Sequence, residues 1–180
     1  MTDTPDDPHL TELEPRFLAA LSRKAAGDLD AAEEELRAIL RLEPRLPEPH
    51  LELGRLLLDT DRLDDAEDHV REALRLVEAG GQWTDEIPEA VLEALTHATL
   101  AEVLRRRADD DDVIFGDAAV FRSLVDESRR HFARAAELDP QDEYASYHAF
   151  FMGLEGKGVK VEVGPPLPEG DDDEEDEDDA

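Results

Sequence analysis

The stretch GDLDAAEEELRAILRLEP, residues 27–44, returns as DRLDDAEDHVREALRLVE at residues 61–78, an offset of 34 residues. Small Ala32 maps onto Ala66, apolar Leu36 onto Val70, and Ile39, Leu40 and Leu42 onto Ala73, Leu74 and Leu76. In each copy the apolar residues recur three or four apart, which gathers them into one stripe along a helix. Self-similarity at this period points to stacked helical hairpins, each a unit that cannot bury its apolar face alone.

Working outward, HLELGRLLLDT from His50 supplies the first helix of the second hairpin. Its Gly54 stands twelve residues before Ala66, as Ala20 stands twelve before Ala32, and such small pairs let two antiparallel helices approach closely. Leu53, Leu57, Leu63 and Leu74 are expected around the Gly54 contact. Pro44 ends the first unit because it cannot continue a helix, and Gly80 and Gly81 end the second as a left-handed cap does. A third unit begins with EAVLEALTHATLAEVLRRRA from Glu89, with Pro88 suited to its first turn. Its second helix, AVFRSLVDESRRHFARAAELDP from Ala119, carries Phe132, Ala135, Ala136, Leu138 and Pro140 where unit one has Leu36, Ile39, Leu40, Leu42 and Pro44. That register makes Ala101 and Ser128 the close pair, 27 residues apart, so this hairpin holds about fifteen extra residues. After Pro140, DEYASYHAFFMGLEG reads as a helix covering the last apolar face, with Tyr144, Tyr147, Phe150, Phe151 and Leu154 unusually apolar for that task.

These residues resemble the tetratricopeptide repeat family over residues 15 to 154, on the 34-residue period, the GDLDAAEEELRAILRLEP block, and Leu53-Gly54 followed by Ala66. The expected fold is all-α: a tetratricopeptide-like helical hairpin solenoid of about three repeats with a C-terminal capping helix and a disordered acidic tail. The expected organisation is a flexible acidic N-terminus at 1–14, the repeat domain at 15–158, and a Pro/Gly linker with the tail at 159–180. Members of the family are typically non-enzymatic adaptors whose first helices line a concave groove holding a peptide or helix. Carried over position by position, the resemblance implies a groove of Phe17, Leu21 and Lys24 in unit one, Leu51, Arg55, Leu58 and Asp59 in unit two, and Ala98, Glu102, Arg105 and Arg106 in unit three. Leu51 and Asp59 stand where a chaperone-tail clamp needs polar or basic groups, so an amphipathic segment bearing a few acids suits the set better. Leu21, Leu51 and Leu58 have a second reading, packing between hairpins rather than lining a groove.

The 49 acidic residues outnumber the 19 basic ones, a formal net charge of -30. Residues 171–179 contribute nine acids and no base, and the rest of the chain still holds -21, so acidity belongs to the whole surface. Only Lys24, Lys157 and Lys160 are lysine. An acid-rich, lysine-poor composition resembles proteins of extreme halophiles, and such self-repulsion is tolerable where salt screens it. The same charge argues against DNA or RNA as a partner, since a phosphate backbone needs a basic face. No apolar run reaches the length of a membrane span, the N-terminus lacks the basic and apolar regions of a secretory signal, and cysteine is absent. The expected location is cytoplasmic.

No chemistry is spelled out. The histidines at 9, 50, 69, 97, 131 and 148 form no His-x-x-x-His or HExxH pair, so no metal or cofactor is expected, and His50 is read as packing. An EF-hand loop placed on Asp109–Asp112 and Gly116 fails, because Val113 and Phe115 fall at ligand positions. Val113, Ile114 and Phe115 are expected to fold back onto the third hairpin, with a partner-binding knob as the alternative. No GxSxG turn or phosphate loop occurs, and an enzyme is not expected. The expected function is a scaffold or adaptor for a protein or peptide partner. A second reading is a charge-based chaperone or buffer for basic proteins acting through DDDEEDEDD, and a third has that tail occupying the groove arginines.

Overall fold

The computed structural model describes residues 8–84 and 87–154, and the regular structure of these residues is helical throughout. Three hairpins follow one another: α1 (Pro8–Ala25) with α2 (Leu29–Leu42), α3 (Pro47–Asp59) with α4 (Leu63–Glu78), and α5 (Glu89–Ala108) with α7 (Ala118–Leu138). A single turn, α6 (Asp111–Ile114), interrupts the third connection, and α8 (Glu143–Leu154) completes the stack. Each second helix packs on the next first helix, α2 on α3, α4 on α5 and α7 on α8, and α3 also touches α5. The helix α1 starts at Pro8, ahead of residue 15, because Leu10 and Leu13 pack into the first core. Residues 1–7 and the linker and acidic tail at 159–180 lie outside the described residues.

The close pairs expected from the sequence hold the hairpins together. A Cβ added at Gly54 would meet Val70 Cγ2 at 2.3 Å and the Ala66 carbonyl oxygen at 3.4 Å, so only glycine permits this approach. Around it Leu53, Leu56, Leu57, Val70 and Leu74 are buried. Truncating one such leucine to alanine removes about 2–5 kcal/mol. In the third hairpin Ser128 Oγ donates to the Ala101 carbonyl oxygen at 2.8 Å with both residues fully buried, as the 27-residue register requires.

The turns repeat as well. Gly27 (φ +82°) and Asp61 (φ +59°) occupy equivalent positions 34 residues apart, each in left-handed backbone just past a helix end. Gly27 N donates to Lys24 O and Asp28 N to Arg23 O, while Asp61 N donates to Leu58 O and Arg62 N to Leu57 O, the paired bonds that satisfy the last carbonyls of a helix. Gly80 (φ +78°) does the same for α4.

One polar rung per hairpin was not visible in local spacing. Counting from each close pair, four residues back on the first helix and three forward on the second, the partners are Arg16–Glu35, His50–His69 and His97–His131. The first is an ion pair. In the others two imidazole Nδ1 atoms meet at 3.0 Å and 2.8 Å, which requires one protonated and one bare nitrogen. His50 Nε2 lies 3.0 Å from the Pro44 carbonyl oxygen and must donate to it, so neutral His50 accepts from His69 Nδ1–H. Burial disfavours the imidazolium in all four, and His97 is lowered to about 4.

The expectation that Val113, Ile114 and Phe115 fold back onto the third hairpin is corrected. Val113 is half-buried, but Ile114 is 49% exposed and Phe115 83% exposed. The side chain of Asp110 caps α6 at Asp112 N, and that of Asp117 caps α7 at Ala119 N. These caps fix a one-turn helix with room for only one inward residue.

Candidate functional site

The stack sets the first helices α1, α3 and α5 side by side, and most of the groove residues expected from the sequence lie along them. Between α3 and α5 is a depression of about 240 Å³ lined by Arg55, Leu58, Asp59, Leu95, Ala98, Thr99 and Glu102. Leu58, in the last turn of α3, and Ala98, at the middle of α5, supply an apolar floor, and Arg55 and Glu102 supply the polar rim. Small-molecule sites run to about 300–1,000 Å³. The space suits a side-chain anchor from a partner segment better than an enclosed substrate.

Two carboxylates organise the charge. Glu52 Oε2 accepts from Lys24 Nζ of α1 and Glu52 Oε1 from Arg55 Nη1, both at 2.9 Å. Glu102 accepts from Arg105 Nε at 2.8 Å and Nη2 at 2.9 Å, from Arg106 Nε at 2.9 Å, and from the Tyr144 hydroxyl of α8 at 2.7 Å. Burial pushes the Glu102 carboxyl up, but hydrogen bonds from Arg105, Tyr144 and Arg106 outweigh it and hold the pKa at about 2. Glu102 in turn raises Arg105, whose Nη1 also reaches Asp109 at 2.7 Å. Arg106 Nη1 donates to the Leu58 carbonyl oxygen at 3.1 Å, tying α5 to α3. Lys24, Arg55, Arg105 and Arg106 are thus balanced by Glu52, Asp59, Glu102 and Asp109, a neutral strip on a strongly acidic chain.

The structure separates the expected groove residues into two groups. Arg55, Leu58 and Glu102 meet at the depression with Asp59 and Ala98, while Arg105 and Arg106 flank it through Glu102. Leu58 is itself a core residue, 7% exposed, whose edge lines the depression, while Phe17, 7% exposed, and Leu51, 2%, belong to the core away from it. The connection from α4 to α5 covers Phe17 and Leu51. Trp83 packs on Phe17 with ring centroids 5.4 Å apart, and Ile87 and Leu92 pack on Leu51. That connection is anchored where buried Glu48 Oε1 accepts from the Trp83 and Thr84 amides at 2.9 Å and 3.0 Å. Lys24 is held by Glu52, and Leu21 is half-buried against the first core. Leu95, Thr99 and Tyr144 join the site without having been expected there. Tyr144 sits in a helix read only as a cap, and nothing in its spacing shows that its hydroxyl reaches Glu102.

Among the described residues, no group of three or more His, Asp or Glu side chains is placed to hold a metal ion. No described helix is long and apolar enough to cross a membrane.

Residues 24–79 match the tetratricopeptide repeat family. The match runs from the end of α1 through α4 and so contains both copies of the 18-residue block. No curated protein matches the chain. With the continued hairpin packing of α5, α7 and α8, the architecture is a tetratricopeptide-like helical solenoid. Tetratricopeptide repeats generally mediate protein–protein interaction.

Proposed function

We propose that this protein is a non-catalytic adaptor that holds a segment of one protein partner against α3 and α5, at the depression floored by Leu58 and Ala98. The observation behind this reading is the coincidence of an open apolar depression with the neutral strip of Glu52, Arg55, Glu102 and Arg105. An approaching segment meets little of the repulsion that the rest of the acidic surface imposes. The groove arginines already carry carboxylate partners, so the anchor is an apolar side chain, and a partner's acids would have to compete with Glu52 and Glu102. The acid-rich surface fits a cytoplasm of high salt, where screening removes the self-repulsion.

Replacement of Ala98 by arginine fills the depression, and because Ala98 also packs partly on the Ala101–Phe132 cluster the fold is checked by circular dichroism alongside capture. Partner capture from a native high-salt extract is expected to fall at least tenfold with the helical circular dichroism unchanged. Undiminished capture by a folded Ala98→Arg protein would refute the groove. Capture lost only on removal of residues 171–179 would instead support the acidic chaperone reading.

A further inference from the structure

The helix α8 lies antiparallel on α7, with His148 stacked on Phe132 at 4.8 Å and Met152 Sδ 4.0 Å from Ser128 Oγ. It therefore travels toward the start of α7 and stops at Leu154, near the level of Ser128. The stripe it covers, Ala135, Phe132 and Ser128, continues at helical spacing to Val125 and Phe121. Beyond the end of α8 that stripe is open. Residues 118–123 are all exposed, with Phe121 at 37% and its neighbour Val120 at 49%.

The flank of this stripe differs from the rest of the surface in charge. Arg122 has no ion pair among the described residues, and Arg129, one heptad on along the same flank, has only a long contact of 3.6 Å to Asp126. The groove arginines, in contrast, are all engaged, which leaves the acidic tail no free cation there. The chain that follows α8 has matching chemistry. Val159, Val161 and Val163 alternate with Lys160 and Glu162, and nine acids follow at 171–179. An extended segment with this alternation presents its three valines on one face. Reach is sufficient, since the five residues from Leu154 to Val159 span up to about 16 Å, whereas Ser128 and Phe121 are about 10 Å apart along the helix.

We infer that the segment Val159–Val163 docks on the open half of α7, its valines on Phe121 and Val125, and that Arg122 and Arg129 hold the acids that follow. The tail is thereby kept off the groove and on the opposite helix layer, and the open half of the α7 stripe is covered by the chain itself, leaving Tyr147, Phe150 and Phe151 of α8 exposed. This docking is independent of the groove reading, because it concerns α7 and not the face of α3 and α5.

The test is backbone nitrogen-15 relaxation on the full chain at high salt, with Val161→Asp for comparison. Order parameters near 0.85 for residues 160–163, against below 0.6 for a free segment, together with amide shift changes at 118–125 on Val161→Asp, are the expected result. Order parameters of a free segment and unmoved amides at 118–125 overturn the inference. Shift changes at 118–125 that vary with protein concentration also overturn it, since they make a second copy the occupant. A Phe121→Ser protein should release the segment with the same shift pattern, without touching the linker sequence.

Discussion

Acidification should unlock the hairpins through their histidine rungs. In the unfolded chain an imidazole titrates near its ordinary 6.5, whereas burial, with the adjacent His131 imidazole and Arg134 adding to it, lowers His97 to about 4 in the folded protein. Glu93 and Glu78 act in the opposite direction and are outweighed. His131 is lowered by its own burial, with Arg71 and Arg130 adding and Glu127 opposing. The folded state therefore binds these protons less readily than the unfolded state. Stability is complete above about pH 6.5 and falls as pH drops toward 4. For His97 alone the loss between pH 7 and pH 5 is about 2 kcal/mol. Carboxylates held down by arginine partners, Glu33, Glu72, Glu102 and Glu127, lose their contribution at lower pH, below about 4.5, and do not confuse this window. The assay is urea unfolding at pH 7, 6 and 5 in high salt, comparing the native chain with His97→Gln/His131→Gln. Glutamines keep a hydrogen bond across the rung and cannot titrate. The substituted chain should lose at least about 2 kcal/mol less over this range, with the remaining slope set by His50, His69 and His148, also lowered by burial. Equal slopes for the two proteins would refute the reasoning.

Other outcomes follow from the same structure. Asp61 holds the left-handed position that Gly27 holds one repeat earlier, so Asp61→Gly should stabilise by about 1 kcal/mol in urea unfolding. Gly54→Ala drives a methyl into fully buried Val70 and should cost about 1–3 kcal/mol; adding Val70→Ala should cost less than the sum of the single changes, and simple additivity would remove the contact from the explanation. With a net charge of -30, the thermal midpoint should rise between millimolar and about 1 M salt, and an unchanged midpoint would defeat the high-salt reading.

The repeated block made α2 and α4 legible and the Gly54–Ala66 spacing made α3 legible, whereas the first turns of α1 fell in a stretch expected to be flexible; one register argument from Phe132, Ala135 and Pro140 located the Ser128–Ala101 contact across an interrupted hairpin. What stayed hidden depended on contacts between segments far apart in the chain. Phe17 and Leu51 sit on first helices at the expected positions, yet Trp83 and Ile87 from the α4–α5 connection cover them, and an irregular connection has no period to read. The histidines form no pair along one helix because their partners lie across the hairpin, 19 and 34 residues away. Their equal offsets from the close pairs Gly54–Ala66 and Ala101–Ser128 were present in the sequence as a signal. Phe115 was read by hydropathy alone, which does not register that aspartate caps hold its helix to one turn.

The most direct test of the groove is a photo-crosslinking amino acid placed at Ala98 on the depression, and separately at exposed Asp68 on α4, in the full chain exposed to a native high-salt extract. A discrete protein joined through one segment at position 98 and absent at position 68 is the expected result. Equal labelling at both positions, or a diffuse set of basic proteins joined at either, would contradict an adaptor whose site lies between α3 and α5.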